Sequence, residues 1–318
     1  MSLSEIKDFI LDNDNFAVIG HTNPDGDCIG SCMSMWCLLK DLGKTAYVVL
    51  EDEDIPDYLK FLWDSSAKWD GEASVDAYIA LDCAAPDRLI RQGDAFAKAQ
   101  KNACIDHHRT NSGFAGVNAV VADAAATGEI IYYLATEHFS ITPHGKMADC
   151  MYAAISADSG SFKYSSTTSR TMKAGAALLD CGVDNSAIAK NLFDTYKKEQ
   201  IDIIADITST LETYFQGQVA LICITDELLQ SKGLTFDQVD FIVGLPRAIE
   251  GVEVGLLFKK RGDEVKVSMR SNRYADVSLI AANLGGGGHA RAAGITLKCS
   301  LDEAKGIILK EVEKVILN

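Results

Sequence analysis

Short apolar runs recur through the first half of the chain, and several end on a residue able to do chemistry. Phe16-Ala17-Val18-Ile19-Gly20 runs into His21, Ala77-Tyr78-Ile79-Ala80-Leu81 into Asp82, and Asn102 to Ile105 into Asp106-His107-His108. Runs this uniformly apolar predict strands buried on both faces, as in a parallel sheet. Thr45 to Leu50 and Val117 to Val121 read as two more. Helical periodicity falls between and after them, over Ser4–Leu11, Ile29–Leu42, Thr127–His138, Gly145–Ala157 and Thr168–Cys181, the last closed by Gly182. Strands alternating with helices give an α/β fold, a doubly wound parallel sheet with right-handed crossovers.

Past residue 190 the pattern changes. Lys197 to Tyr214 reads as a connecting helix, and Val219–Thr225, Val252–Lys259 and Val265–Arg270 as strands of a separate sheet. Lys260-Arg261-Gly262-Asp263 predicts a hairpin turn, and Leu301 to Leu317 a closing helix. The expected organisation is a catalytic domain over 1–190, a linker over 191–216, and over 217–318 a smaller α/β domain built on a mixed sheet. Glu51 to Asp57 reads as a solvated acidic loop, and Lys60 to Trp69 carries no clear period.

Composition sharpens this picture in three respects. With 318 residues, 47% of them apolar, and 5 prolines, the chain can bury a core in each of two domains. Nine cysteines in scattered contexts without a CxxC pair fit a reducing cytoplasm better than a disulfide framework or zinc. No membrane association is expected, since no apolar run approaches the roughly eighteen residues of a span and the first residues lack a signal-peptide pattern.

The net charge of −15 argues against a protein that coats long duplex nucleic acid. Residues 245–300 nevertheless hold nine Lys or Arg against five acids, a local +4, which leaves −19 for the remainder. A small polyanion held between a metal-bearing part and a basic part suits that asymmetry.

The chemistry concentrates at the strand ends. His21-Thr22-Asn23-Pro24-Asp25-Gly26-Asp27 places an imidazole and two carboxylates in one turn, and carboxylates this close repel unless a cation lies between them. On a doubly wound topology Asp25, Asp27, Asp82 and His107 emerge on one sheet edge, and Asp158 joins them from a helix end. Four carboxylates balance two divalent cations, the arrangement that clamps a phosphoryl group for in-line displacement. Mixed nitrogen and oxygen ligands favour Mn²⁺ over Mg²⁺, with Zn²⁺, Fe²⁺ and Co²⁺ also compatible. Near the far end, Gly285-Gly286-Gly287-Gly288-His289 lets backbone approach an anion, and if a helix starts at Ala290 its N-terminus adds a favourable field for phosphate. Arg270 ends a predicted strand as a phosphate fork.

Together, His21-x-x-Pro24-Asp25-Gly26-Asp27, the strand-end Asp82, Asp106-His107-His108 and Asp158 resemble the four motifs of the DHH phosphoesterase superfamily. Gly285 to Gly294 resembles the glycine signature of its DHH-associated C-terminal domain, and the order of motifs over residues 10–300 is similar to the NrnA-type branch. The resemblance implies one metal held by His21, Asp25 and Asp82, and a second by Asp27, Asp82, His107 and Asp158. It implies His108 and Asp82 as catalytic residues, and Arg270, Ser271, Gly287, Gly288 and His289 as contacts to the nucleotide. The implied reaction is attack by a metal-bridging hydroxide on short RNA or on 3′-phosphoadenosine 5′-phosphate, and the branch leaves room for a homodimer. Cys28 stands where a small Ala is usual, and Ser156-Ala157-Asp158-Ser159 replaces Thr-Asp-Thr, without loss of a ligand.

Rival readings rank lower. A pyrophosphatase or polyphosphatase lacks this glycine signature, and 318 residues leave no room for the extra domain of a RecJ-like exonuclease. A soluble cyclic-dinucleotide phosphodiesterase is the nearest alternative. A nucleotide sensor without catalysis would not need the full ligand set.

Overall fold

The computed structural model describes residues 2–90 and 93–316. It divides into two compact units, 1–195 and 196–318.

In the first unit, α1 (Leu3–Leu11) precedes β1 (Asn15–Ile19), α2 (Gly26–Asp41), β2 (Thr45–Val48) and β3 (Ala77–Leu81). Next come α3 (Gly93–Lys98), β4 (Asn102–Asp106), β5 (Val117–Val120), α4 (Thr127–Tyr133), α5 (Gly145–Asp158), α6 (Ser169–Asp180) and α7 (Asn185–Phe193). The five strands form one parallel sheet in the order β2-β1-β3-β4-β5. Phe16 to Ile19 and Ile79 to Leu81 are all buried, as the uniformly apolar runs require. Helix α2 starts where the Asp25 side chain accepts N–H groups from the first turn and stops at Gly43, which takes φ 74°. Helix α2 is buried on nearly every side, because small residues let α5 lie directly against it. A Cβ on Gly26 would lie 2.6 Å from Ala157 Cβ, and one on Gly30 2.6 Å from the Cys150 carbonyl oxygen.

The second unit contains α8 (Lys198–Thr208), β6 (Glu212–Tyr214), β7 (Val219–Thr225), α9 (Asp226–Ser231), β8 (Val254–Arg261) and β9 (Glu264–Ser271). It ends with α10 (Val277–Asn283), β10 (Gly287–His289), β11 (Ala292–Leu297) and α11 (Leu301–Ile316). The sheet is mixed, in the order β10-β11-β9-β8-β7-β6, with only β7 and β8 parallel. One face packs Leu256, Phe258, Val267 and Met269 against α10 and the Ala304-Ile308-Val312-Ile316 stripe of α11. The other face buries Ile222, Ile224 and Leu257 against Ile203 and Ile207 of α8 and the 237–244 turn. Each large side chain so buried contributes about 1.5–3 kcal/mol relative to exposure.

Four expectations are corrected. The helix expected from Ala290 is instead strand β11, paired with β10 and β9, because Ala292 to Leu297 alternates burial at a period of two. The connecting helix stops at Thr208, and Glu212–Tyr214 adds an edge strand. The Thr127–His138 helix widens into a π-turn after Tyr133, and the acidic 51–57 segment contains short 3-10 turns rather than open loop. No helix among the described residues is long and apolar enough to cross a membrane.

Candidate metal centre

Strand order reverses between β1 and β3, and open parallel sheets bind ligands outside their carboxyl ends beside such a reversal. His21 follows β1, Asp82 follows β3 and Asp106 closes β4 just before His107 and His108. Asp25 caps α2, Asp27 lies in its first turn and Asp158 is the last residue of α5. The first unit therefore brings together every metal ligand expected from the sequence.

The carboxylates are individually held. Asp25 Oδ1 accepts the N–H groups of Asp27 and Cys28 at 3.1 and 3.0 Å. Fully buried Asp27 accepts the Thr127 and Gly128 N–H groups at 2.7 and 3.0 Å, donors left free at the start of α4, and the Ser31 hydroxyl at 2.9 Å. Gly128 has no room for a side chain there, since a Cβ would lie 2.4 Å from Ala154 Cβ. Asp82 adopts a left-handed backbone, φ 54°, and accepts the Thr127 hydroxyl at 3.1 Å. Strain of this kind persists where the surroundings over-determine it, commonly at functional sites.

The imidazoles face these carboxylates. His21 Nε2 lies 3.5 Å from Asp82 Oδ2 and 3.9 Å from Asp25 Oδ1. His107 Nε2 lies 3.2 Å from Asp158 Oδ2, 3.5 Å from Asp82 Oδ1 and 3.8 Å from Asp27 Oδ2. The opposite nitrogens meet carbonyls: His21 Nδ1 is 2.9 Å from Thr22 O and His107 Nδ1 is 3.3 Å from Ala124 O. A nitrogen beside a carbonyl carries the hydrogen, so in the neutral ring Nε2 turns its lone pair toward the carboxylates. Metal-ligating histidines are oriented this way. Two atoms each about 2.1 Å from a shared ion lie about 3.0–3.4 Å apart at tetrahedral to octahedral angles, close to these separations. In three overlapping groups the ligand atoms all lie within 4.8 Å of one another: His21, Asp25 and Asp82; Asp27, His107 and Asp158; and Asp82, His107 and His108. The donor set fits divalent cations.

Protonation follows the crowding. Burial works to raise Asp82, but the facing His21, His107 and His108 outweigh it and hold that carboxyl below the usual range. Asp27 moves up, first from burial and then from the charges of Asp82 and Asp158. Burial works against a charged His107, yet Asp158, Asp82 and Asp27 raise its pKa. At His21 burial is likewise overcome, by Cys28, Asp82 and Asp25. Without cations, the cluster retains protons on its imidazoles.

His108 is a second line of chemistry. Its Nδ1 lies 2.7 Å from Asp106 Oδ1, and burial is outweighed by Asp106 and Asp82, which raise its pKa. Asp106 is fully buried and also accepts the His107 N–H at 2.9 Å and the Asn111 amide at 2.7 Å. The sequence reading gave no role to Asp106, Asn111, Thr127 or Ser31. The signal for Asp106 was its place at a strand end ahead of two histidines; nothing marked Thr127, whose contact depends on where α4 docks.

In the second unit, the residues expected to hold the nucleotide also gather. Arg270 and Ser271 end β9, and the Ser271 N–H and hydroxyl reach Arg291 O at 3.1 Å and Ala290 O at 3.3 Å. Gly287 and Gly288 form the edge strand β10. Gly288 takes φ 142°, and a Cβ there would strike Ala292 O at 2.4 Å, so packing already demands glycine. A Cβ on Gly287 would meet nothing within 4 Å, which leaves bare backbone open to a ligand. The side chain of His289 lies outside the described residues.

Comparison with known proteins gives concordant matches. Residues 15–155 match the DHH family, N-terminal domain, and residues 213–318 match the DHHA1 domain. The chain is 33% identical to the bifunctional oligoribonuclease and PAP phosphatase NrnA of Thermus thermophilus, over 92% of this chain and 88% of that protein. It is 25% identical to the cyclic-di-AMP phosphodiesterase PdeA of Listeria monocytogenes, over 98% of this chain but 48% of that one. The fold resembles the crystal structure of an exopolyphosphatase-related protein from Bacteroides fragilis, with TM-score 0.87, 24% identity, and coverage of 98% and 95%.

Proposed function

From the premise that the chain belongs to the DHH family and carries a DHHA1 domain, we propose that it is a metal-dependent phosphoesterase acting on short nucleotides. It hydrolyses short oligoribonucleotides to nucleoside monophosphates and 3′-phosphoadenosine 5′-phosphate (PAP) to AMP. The observation that carries this reading is the pair of Nε2 atoms, each fixed by a carbonyl behind it, facing four carboxylates, Asp82 and the three of Asp25, Asp27 and Asp158 beside it.

His21, Asp25 and Asp82 would hold one divalent cation, and Asp27, Asp82, His107 and Asp158 a second, Mn²⁺ being the metal that the mixed donors favour. When bound, such cations lower the pKa of water and neutralise charge on phosphoryl oxygens. The Thr127 hydroxyl keeps Asp82 in place, and the α4 N–H groups do the same for Asp27. His108, pinned through Nδ1 by Asp106 and with its pKa raised by Asp106 and Asp82, is the group placed to give its Nε2 proton to the leaving oxygen. Arg270, Ser271, Gly287, Gly288 and His289 grip the rest of the nucleotide. A grip on a few phosphates is compatible with an acidic chain acting on nucleic acid. Nine free cysteines favour a cytoplasmic setting.

The test is a hydrolysis panel with Mn²⁺ on PAP, an RNA dinucleotide, a five-mer, a longer RNA and cyclic di-AMP, each with and without chelator. The expected result is chelator-sensitive turnover of PAP and short RNA that fades with length. Asp82→Asn, which tolerates the left-handed backbone, should lower kcat at least about a hundredfold. Undiminished turnover by D82N, or turnover insensitive to chelator, sinks the reading. The likeness to PdeA makes cyclic di-AMP the informative alternative, and preferred cleavage of it would reassign the substrate.

A further inference from the structure

We infer that Glu253, a buried carboxylate outside the metal centre, is a positioning residue that sets the geometry of the substrate grip. It immediately precedes β8 and is only 4% exposed, yet no lysine, arginine or histidine pairs with it among the described ion pairs. Its partners are backbone. Oε1 accepts the N–H groups of Arg273, Tyr274 and Ala275 at 3.0, 2.8 and 2.8 Å, and Oε2 accepts that of Arg273 at 3.2 Å. Three successive N–H groups curled around an anion form a nest. Here the anion is supplied by the chain itself. The main chain of Glu253 is fixed too, its N–H donating to Gln218 O at 2.7 Å and its carbonyl accepting the Asn272 N–H at 2.9 Å.

The segment that this nest shapes joins both halves of the grip. Residues 272–275 continue directly from Arg270 and Ser271, and Ala275 O accepts the Arg291 guanidinium at 2.7 Å. Arg291 O in turn accepts the Ser271 N–H, and Ala290 O accepts the Val277 N–H at 3.0 Å. The carboxylate thus shapes the loop through which the end of β9 reaches the residues immediately following β10. Removing it leaves three N–H groups without their acceptor, that of Ala275 in a buried place, and the loop relaxes to find others. Arg270 and Ser271 keep their places in β9, but the loop that carries Ala275 and its hold on Arg291 shifts, and with it the 290–291 turn against which Ser271 is held, while the cluster around Asp82 in the other unit is untouched.

This inference rests on the proposed reading of Arg270 and Ser271 as substrate contacts, and the experiment separates the two. Steady-state kinetics on PAP would compare wild type, Glu253→Ala, Glu253→Gln and Arg270→Ala in the full chain with Mn²⁺, with melting temperatures recorded alongside. E253A should raise KM about tenfold with kcat within about twofold. E253Q, which keeps one oxygen in the nest but turns an amide NH2 toward it, should raise KM less, about threefold, and added formate should partly restore KM for E253A by refilling the nest. If R270A raises KM while E253A and E253Q leave it unchanged, the positioning role is overturned and the grip survives. If R270A leaves KM unchanged, the grip itself is overturned. If E253A does not fold, E253Q decides, since it must raise KM measurably without lowering kcat for the role to stand.

Discussion

Asp82 faces two imidazoles and stands within 3.7 Å of a third, on a backbone that its own side chain does not favour. That crowding has a pH consequence. His21 and His107 are raised by their carboxylate neighbours, so the metal-free cluster keeps those imidazoles protonated at neutral pH. A cation needs the Nε2 lone pairs and must expel the protons, so affinity rises as pH rises. Mn²⁺ titration by calorimetry in buffers of different ionisation enthalpy should show net proton release and tighter binding at pH 8 than at pH 6. Binding without proton release would show that the histidines are not ligands. The six candidate residues His21, Asp25, Asp27, Asp82, His107 and His108 were legible because each follows a recognisable strand or begins a helix, and Asp158 because it ends one. Asp106 and Thr127 were not, because their contribution lies in whom they touch.

At the level of elements, the crossing of α2 and α5 positions Asp25 and Asp27 relative to Asp158. It works because Gly26 and Gly30 present no side chain to Ala157, Ala154 and the Cys150 carbonyl. Gly30→Ala would place a methyl 2.6 Å from that carbonyl and 2.9 Å from Ala154 Cβ, so the helices must part. The expected cost is about 1–3 kcal/mol in chemical denaturation, together with weaker Mn²⁺ binding as Asp158 withdraws. Unchanged stability would mean that the crossing has slack. Parallel strands were readable from unbroken apolar runs, whereas the β10–β11 hairpin was not. Glycine and alanine carry too little hydropathy for a period of two to register, and the run Ala290-Arg291-Ala292-Ala293 suits a helix in isolation. Pairing with β9 outweighs that local preference.

Over the whole molecule, each unit has hydrophobic packing of its own, and among the described residues the candidate metal-holding groups all lie in the first. All three tryptophans, Trp36, Trp63 and Trp69, lie in that first unit. Tryptophan fluorescence therefore reports one unit and calorimetry reports both. Mn²⁺ at a hundred times its dissociation constant stabilises the unit that binds it by about 2.7 kcal/mol. The fluorescence melt should move up by about 5–10 °C, while a calorimetric transition unseen by tryptophan stays in place. Equal shifts of both would imply that the units melt as one.

The proposed ligands hang from β1, α2, β3, β4 and α5, which come together only when β1, β3 and β4 lie side by side. A half-assembled sheet offers a cation two or three of its donors and little reason to stay. Cations bound to the full set would stabilise only the finished sheet, and so would slow unfolding more than they speed folding.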